Sequence, residues 1–205
     1  MFQNIKWLFF DVGSTLIDER LAYEQRFHEI AECAGVSFEQ VQKQALSFYR
    51  MNKKGDLEAA KQLGVILSTW PVEYEKPYAH AASVLAYLHQ KYAIGIIANQ
   101  LAGTTSRLEK YDLLPFIDLV IASAEEGLAK PDPRIFELAL SRSGCLPENA
   151  VMIGDRIDND IVPAKRIGMH TIWIRQGFGQ YWNISTAEEE PDLSVFCLQE
   201  LRSIL

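Results

Sequence analysis

Asp11 is the residue of this chain whose type and setting most clearly permit chemistry. It directly follows a short apolar run, residues 5–10, and precedes a turn-prone Val-Gly-Ser-Thr stretch at 12–15. A carboxylate at the C-terminal end of a buried strand, followed by small residues whose amides can face a ligand, can hold a phosphate beside a nucleophile. The sequence therefore predicts a phosphate site here, with Asp11 as the attacking group.

Three later polar residues stand in comparable positions. Asn99 ends a second apolar run, Lys130 stands in the Ala-Lys-Pro-Asp-Pro segment 129–133, and Asp155 stands in the acidic segment 154–160. Each of them follows shortly after an apolar run, so each can reach the same edge of one sheet as Asp11. Together they supply the amide, the ammonium and the further carboxylate that a phosphate site on Asp11 would still need.

The elements that must position these residues indicate an α/β fold. Helical patterns are an apolar stripe over 81–88, a helix that Asp132 caps, and a helix that Asp160 caps and that runs to Arg166. The aromatic, turn-rich stretch 177–182 is expected to pack under the C-terminal helix. Buried strands of a parallel sheet are predicted at 5–10, 93–98, 117–122, 150–153 and 171–174. This alternation predicts a doubly wound, Rossmann-like core with a parallel sheet.

Residues 19–75 interrupt the alternation with helical patterns alone. Gly35 is expected to end a first helix, Ser37 to cap a second, and Asp56 to cap a short third one. An insertion of this size directly after the Asp11 loop would sit above the C-terminal edge of the sheet. The predicted division is a core of residues 1–18 and 76–205 and a small helical unit of residues 19–75.

Composition limits the kinds of partner. The 205 residues carry a formal net charge of −7, which disfavours nucleic acid and anionic membrane because both attract basic patches. No apolar run approaches the ~18 residues of a membrane span, and residues 1–6 do not resemble a signal peptide. Three widely spaced cysteines, Cys33, Cys145 and Cys197, indicate free thiols rather than a disulfide framework or a zinc site. We therefore expect a cytoplasmic protein that acts on a small molecule, and the oligomeric state stays open.

Four segments, in order, resemble the signatures of the haloacid dehalogenase-like (HAD) hydrolase superfamily. They are FFDVGSTL (9–16), IIANQ (96–100), KPDPRIF (130–136) and IGDRIDNDIVPAKRIGM (153–169). The resemblance covers nearly the whole chain. It implies a capped, phosphatase-like hydrolase in which residues 19–75 form a cap that opens and closes over the site.

The resemblance also implies roles in phosphoryl transfer. Asp11 would be the nucleophile that forms an aspartyl-phosphate, and Lys130 would neutralise charge on Asp11 and on the transferring group. Thr15 and Asn99 would hold phosphate oxygens. The substrate would be a small phosphorylated molecule selected by cap residues such as Tyr23, Arg26, Tyr49 and Arg50.

A magnesium site follows from the same resemblance. Its ligands would be Asp11, the backbone carbonyl of Gly13 and Asp155, and such oxygen ligands suit Mg²⁺. Asp160, in preference to Asp158, would lie behind the ion, where it fixes a bound water or pairs with the site lysine. The acidic cluster favours a cation independently, since carboxylates that face one cavity repel each other without one.

Two positions depart from the family pattern. Family phosphatases carry a second Asp two residues after the nucleophile, as general acid and then base, where this chain has Gly13. The second signature has Ser or Thr before Asn, where this chain has Ala98. A positioned acid–base group contributes roughly 10²–10⁴-fold, so its loss predicts a preference for good leaving groups and slow hydrolysis of the phospho-enzyme. A water or a cap residue must then replace the missing group.

Three functions are compatible with these residues. The leading hypothesis is a Mg²⁺-dependent phosphatase for a small, soluble phosphate ester. The second is another reaction of the superfamily: dehalogenases lack the second Asp but need no metal, and phosphonoacetaldehyde hydrolases add a cap lysine, for which Lys53 or Lys54 is available. The third is a sensor or regulatory protein that binds Mg²⁺ and a phosphorylated ligand with very slow turnover, as the changes at Gly13 and Ala98 would allow.

Overall fold

The computed structural model describes residues 2–205, so Met1, the first residue of the predicted core, lies outside the described residues. The strands are β1 (Trp7–Phe10), β2 (Ile17–Asp18), β3 (Lys76–Pro77), β4 (Ala93–Ala98), β5 (Leu119–Ala122), β6 (Ala150–Gly154), β7 (His170–Ile174) and β8 (Leu193–Val195). Six of them form one sheet in the order β5-β4-β1-β6-β7-β8, and every neighbouring pair is parallel. The central position of β1 places the residue that follows it, Asp11, in the middle of the sheet edge.

Helices cover both faces of this sheet. They are α1 (Arg20–Ala34), α2 (Phe38–Tyr49), α3 (Gly55–Leu63), α4 (Ala81–Leu88), α5 (Thr104–Lys110), α6 (Ser123–Glu126), α7 (Pro133–Ser143), α8 (Val162–Arg166) and α9 (Leu201–Ile204). Alternate residues of β1 point to opposite faces, as in any strand. Leu8 and Phe10 join an apolar cluster with α4 and α9, whereas Phe9 joins a second cluster with α7 and α8. The predicted doubly wound α/β core is therefore confirmed.

Strands too short to show a pattern were missed by the sequence prediction. The five predicted strands are present, each with ends within two residues of the expected ones. The edge strand β8 has only three residues, two of them exposed, and β2 and β3 have two residues each. The helix expected after Asp132 is present as α7, and the Asp132 side chain accepts a hydrogen bond from the Arg134 amide at its start.

Two predicted helix caps are wrong. Asp56 lies inside α3, where Lys54 is the N-cap residue, and its buried carboxylate accepts a hydrogen bond of 3.1 Å from the Tyr49 hydroxyl. Asp160 lies in a π-helical turn, Ile157–Ile161, that precedes α8. Its carboxylate is bonded to Lys130 and to the Arg156 amide. Asp56 thus contacts the preceding helix, and Asp160 contacts a lysine 30 residues earlier in the chain, and capping patterns reveal neither contact.

The helical insertion, residues 19–75, leaves and rejoins the sheet through the antiparallel pair of β2 and β3. Its helices α1, α2 and α3 pack around an apolar cluster of their own. The loop after β7 enters this cluster, since the Phe178 ring stacks on Tyr49 with centroids 4.5 Å apart and an interplanar angle of 8°. Trp182 of the same loop packs with Trp173 beside the acidic turn. The prediction that residues 177–182 pack under the C-terminal helix is therefore wrong.

Within residues 2–205 there is no helix with the length and apolar character that crossing a bilayer requires. Cys33, Cys145 and Cys197 are all free thiols. The cytoplasmic location stays a prediction.

Candidate active site

The predicted site residues meet at the C-terminal edge of the sheet. Asp11 directly follows β1, Asn99 follows β4, and Asp155 follows β6. Lys130 stands in the loop between α6 and α7. All four line one cavity of about 500 Å³ that lies between the sheet edge and the helical insertion.

A buried cluster of carboxylates with one ammonium forms the floor of the cavity. Asp11, Asp155 and Asp160 each offer a carboxylate oxygen, and these oxygens lie within 4.8 Å of one another. The ammonium of Lys130 is 2.7 Å from Oδ1 of Asp11 and 2.5 Å from Oδ1 of Asp160. All four residues are at most 9% exposed. Lys130 thus contacts Asp11, as predicted, and it also contacts Asp160.

The charges of this cluster do not balance. Burial lowers the pKa of Lys130, but the carboxylates of Asp11 and Asp160 outweigh it and raise that pKa above the ordinary value. Burial, together with the negative charges of Asp11 and Asp160, raises the pKa of Asp155 well above its ordinary value. With all three carboxylates ionised, one ammonium would leave an excess of negative charge, and this adds to burial in raising the pKa of Asp155. Hard oxygen donors with such an excess fit Mg²⁺, and Gly13 lines the cavity beside them.

Backbone contacts fix the loops that carry these groups. The Asn99 side chain donates to the Lys130 carbonyl at 2.8 Å and accepts from the Lys130 amide at 2.7 Å. The Trp173 indole donates to the Asp155 carbonyl at 2.8 Å. Asn99 therefore holds the lysine loop against the sheet edge with both ends of its amide, which leaves its backbone N–H for any contact with phosphate.

Thr15 lies beneath the cavity rather than in its wall. Its side chain is fully buried, it is absent from the cavity lining, and its hydroxyl has no hydrogen-bond partner in the described part of the chain. Gln176 donates to the Thr15 carbonyl at 3.1 Å and so joins this loop to the loop after β7. Contacts of Thr15 and Asn99 with a phosphate stay predictions.

The helical insertion supplies the opposite wall of the cavity. Tyr23, Arg26 and Tyr49 line it, whereas Arg50 is exposed and lies outside the lining. The Arg26 guanidinium lies over the Trp70 ring, 5.2 Å from the centroid. Among the described residues its buried Nε has no hydrogen-bond partner, and the Glu29 carboxylate lies 3.6 Å from it, an ion-pair distance rather than a hydrogen bond. A buried guanidinium with a free donor is able to bind an anionic group in the cavity.

Of the two lysines considered for a Schiff base, Lys54 lines the cavity and Lys53 is exposed outside it. This leaves Lys54 as the residue through which an aldehyde reaction could be tested.

Glu19 is a titratable cavity residue that the sequence reasoning missed. It is half-buried, and its carboxylate accepts a hydrogen bond of 3.0 Å from the Ser14 hydroxyl. Burial, followed by the negative charge of Glu75, raises its pKa to about 8. The available signal was an acidic residue at the first position of the insertion, directly after the Asp11 loop.

Comparison with known proteins identifies the family. A family model described as haloacid dehalogenase-like hydrolase matches residues 8–174. The chain belongs to this family. A HAD relative from Pyrococcus furiosus, named glyceraldehyde 3-phosphate phosphatase, is 27% identical over 99% of this chain and 92% of its own length. A relative of the same name from Methanocaldococcus jannaschii is 36% identical over 63% of this chain. That alignment covers 57% of the relative, so the chain spans less than two thirds of its length.

Solved structures of HAD proteins share the fold. The putative HAD-hydrolase YfnB from Bacillus subtilis, bound to magnesium, superposes with a TM-score of 0.72 at 20% identity and covers 99% of both chains. A HAD phosphatase from Thermococcus onnurineus gives a TM-score of 0.66 at 24% identity, with 98% of this chain and 97% of its own covered. The family-model match over residues 8–174 confirms the superfamily resemblance seen in the sequence, and these structures share its fold.

Proposed function

We propose that this chain is a Mg²⁺-dependent phosphatase that hydrolyses a small phosphate ester through an aspartyl-phosphate on Asp11. The observation that carries the proposal is the buried contact of Asp11 with Lys130, next to Asp155 and Asp160, at the floor of a cavity of about 500 Å³. That volume suits a small molecule. The phosphatase names of the archaeal relatives support the reaction class.

In this proposal Asp11 attacks phosphorus, and the Lys130 ammonium offsets the negative charge that the carboxylate and the phosphoryl group bring together. Mg²⁺ would be held by the carboxylates of Asp11 and Asp155 and the carbonyl of Gly13, with Asp160 behind it. When bound, the ion would supply positive charge to the phosphoryl oxygens. The magnesium bound to the Bacillus structure supports this choice of ion.

The helical insertion would act as the cap of this enzyme. Its residues Tyr23, Arg26 and Tyr49 face the same cavity as Asp11, so a phosphate ester bound on the nucleophile would extend towards them. We propose that they select the substrate, and that the Thr15 hydroxyl, which has no partner among the described residues, and the Asn99 backbone N–H hold phosphate oxygens.

The test is phosphate release from p-nitrophenyl phosphate and acetyl phosphate, with Mg²⁺ and with a chelator, for the wild type and Asp11→Asn. We expect release that requires Mg²⁺ and that Asp11→Asn abolishes, because the amide is not a nucleophile. Absence of release from both compounds, or full activity of Asp11→Asn, would reject the proposal. A turnover far below the ~1–10³ s⁻¹ of ordinary enzymes on every phosphomonoester tried would favour the regulatory alternative.

A phosphonoacetaldehyde-hydrolase-like reaction is a second candidate because Lys54 lines the cavity. That reaction needs a Schiff base between the lysine and an aldehyde substrate. Borohydride reduction in the presence of phosphonoacetaldehyde tests it, with Lys54→Arg as the control. A covalent adduct in the wild type that is lost in Lys54→Arg would establish this reaction, and no adduct would remove it.

A further inference from the structure

The space beside Gly13 is filled by a carboxylate from elsewhere in the chain. An ideal Cβ built on Gly13 would lie 2.5 Å from Oε1 of Glu19 and 2.8 Å from its Oε2. Neither distance leaves room for both groups. The Glu19 carboxylate therefore occupies the volume next to the backbone where a side chain at position 13, two residues after the nucleophile, would begin.

A tight loop brings Glu19 to this point. The amides of Leu16 and Ile17 both donate to the Val12 carbonyl, at 2.9 and 3.0 Å, so the chain folds back on itself directly after Asp11. Gly13 and Ile17 also form an isolated bridge. The pairing of β2 with β3 then fixes the direction in which the chain leaves the loop, and Glu19 is the next residue.

The Glu19 side chain is not used to build the helix that follows it. Glu19 occupies the N-cap position of α1 but makes no capping hydrogen bond. Ser14 orients the carboxylate by donating to Oε2. Across residues 2–205 no side-chain or backbone donor is hydrogen-bonded to Oε1, and Glu19 lines the same cavity as Asp11. One oxygen of the group is thus held and the other is free for a ligand.

We propose that Glu19 is the general acid and base of this enzyme and replaces the carboxylate that Gly13 lacks. The inference rests on the proposed phosphatase function. In the first step Asp11 attacks phosphorus, the bond from phosphorus to the leaving oxygen breaks with its electron pair, and that oxygen takes the proton of the Glu19 carboxyl group. In the second step the Glu19 carboxylate takes a proton from a water molecule whose oxygen attacks the aspartyl-phosphate. The bond from phosphorus to Asp11 breaks, which releases inorganic phosphate and restores both side chains.

The first test compares two leaving groups in Glu19→Gln, a variant that keeps an acceptor for the Ser14 hydroxyl. The matched control is Glu32→Gln, which removes the same charge from an exposed site on α1. We expect Glu19→Gln to lower kcat/KM for an alkyl phosphate such as glycerol phosphate by roughly 10²–10⁴-fold. For p-nitrophenyl phosphate we expect less than about a tenfold loss of kcat/KM, because nitrophenolate leaves without a proton. An equal loss on both substrates, or no loss on either, would overturn the assignment.

The second test moves the carboxylate to its position in other family members. Gly13→Asp in a Glu19→Ala background should raise kcat/KM for the alkyl phosphate at least ~10-fold over Glu19→Ala alone. The side chain of Glu19 is then gone, so the new carboxylate has room. A folded double variant with no gain over Glu19→Ala would contradict the proposal. If the wild type releases phosphate from neither p-nitrophenyl phosphate nor acetyl phosphate, the phosphatase function fails. If it releases phosphate and the comparisons above fail, only the assignment of Glu19 fails.

Discussion

Replacement of Lys130 by Met should destabilise the fold through the charges it leaves behind. Lys130 is 5% exposed, and its ammonium contacts the carboxylates of Asp11 and Asp160 at 2.7 and 2.5 Å. Methionine matches the length of the side chain but offers no positive charge. Both carboxylates would then be buried without their partner.

Breaking a buried ion pair by removing one member costs about 3–5 kcal/mol. For a domain of this size 1 kcal/mol moves the melting temperature by about 2–4 °C, so we expect Lys130→Met to lower Tm by about 6–20 °C at neutral pH. The deficit should shrink as the pH is lowered, because carboxylates whose pKa values rise in the folded state destabilise it only where they would be ionised. It should also shrink on addition of Mg²⁺, which would restore positive charge to the cluster.

The assay is thermal unfolding followed by circular dichroism at acidic and neutral pH, with Mg²⁺ and with a chelator. Lys61→Met, at an exposed position on α3, is the matched control. The reasoning is refuted if Lys130→Met melts within about 2 °C of Lys61→Met, or if its deficit is the same at both pH values.

Three further perturbations follow from the same geometry. Asp155→Asn removes a buried carboxyl group whose raised pKa costs stability at neutral pH, so it should raise the Tm of the metal-free protein and abolish stabilisation by Mg²⁺. A shift with Mg²⁺ as large as that of the wild type would contradict the assignment. Arg26→Leu removes a buried donor that has no hydrogen-bond partner within residues 2–205, so KM for phosphoserine should rise ~10-fold or more. KM for phosphoethanolamine, which lacks the carboxylate, should change little, and equal effects on both substrates would speak against an anion contact. Phe178→Ala removes the ring that stacks on Tyr49 and should lower the free energy of unfolding by about 1–3 kcal/mol. Limited proteolysis should then cut the helical insertion faster than in the wild type. An unchanged cleavage rate would mean that this contact does not hold the insertion to the core.

The order and position of the main strands could be predicted from the sequence because each is a continuous apolar run. β1 and β4 are buried on both faces. Their residue types and the short length of each apolar run are therefore enough to distinguish them from the helices between them. The polar residues that end such runs, Asp11 and Asn99, necessarily reach one sheet edge. That is why the sequence predicts that these two residues lie at the same sheet edge.

Side chains that cross between segments could not be predicted in the same way. Whether Glu19 caps its helix or turns towards Gly13 is decided by the hydrogen bonds of the Val12 carbonyl and by the pairing of β2 with β3. Neither leaves a periodic pattern. Phe178 likewise reaches the helical insertion from a loop more than 100 residues later in the chain, and propensity carries no information on contacts at that separation.

The central claim is that Asp11 becomes phosphorylated during turnover, and the most direct measurement is to trap that adduct. Wild-type protein mixed with Mg²⁺ and p-nitrophenyl phosphate would be quenched in acid within milliseconds to seconds and analysed by peptide mass spectrometry. We predict the mass of one phosphoryl group on the peptide that contains Asp11, with a larger fraction labelled in Glu19→Gln and none in Asp11→Asn. Steady release of phosphate with no label on that peptide, or a label on another residue that persists in Asp11→Asn, would contradict the account.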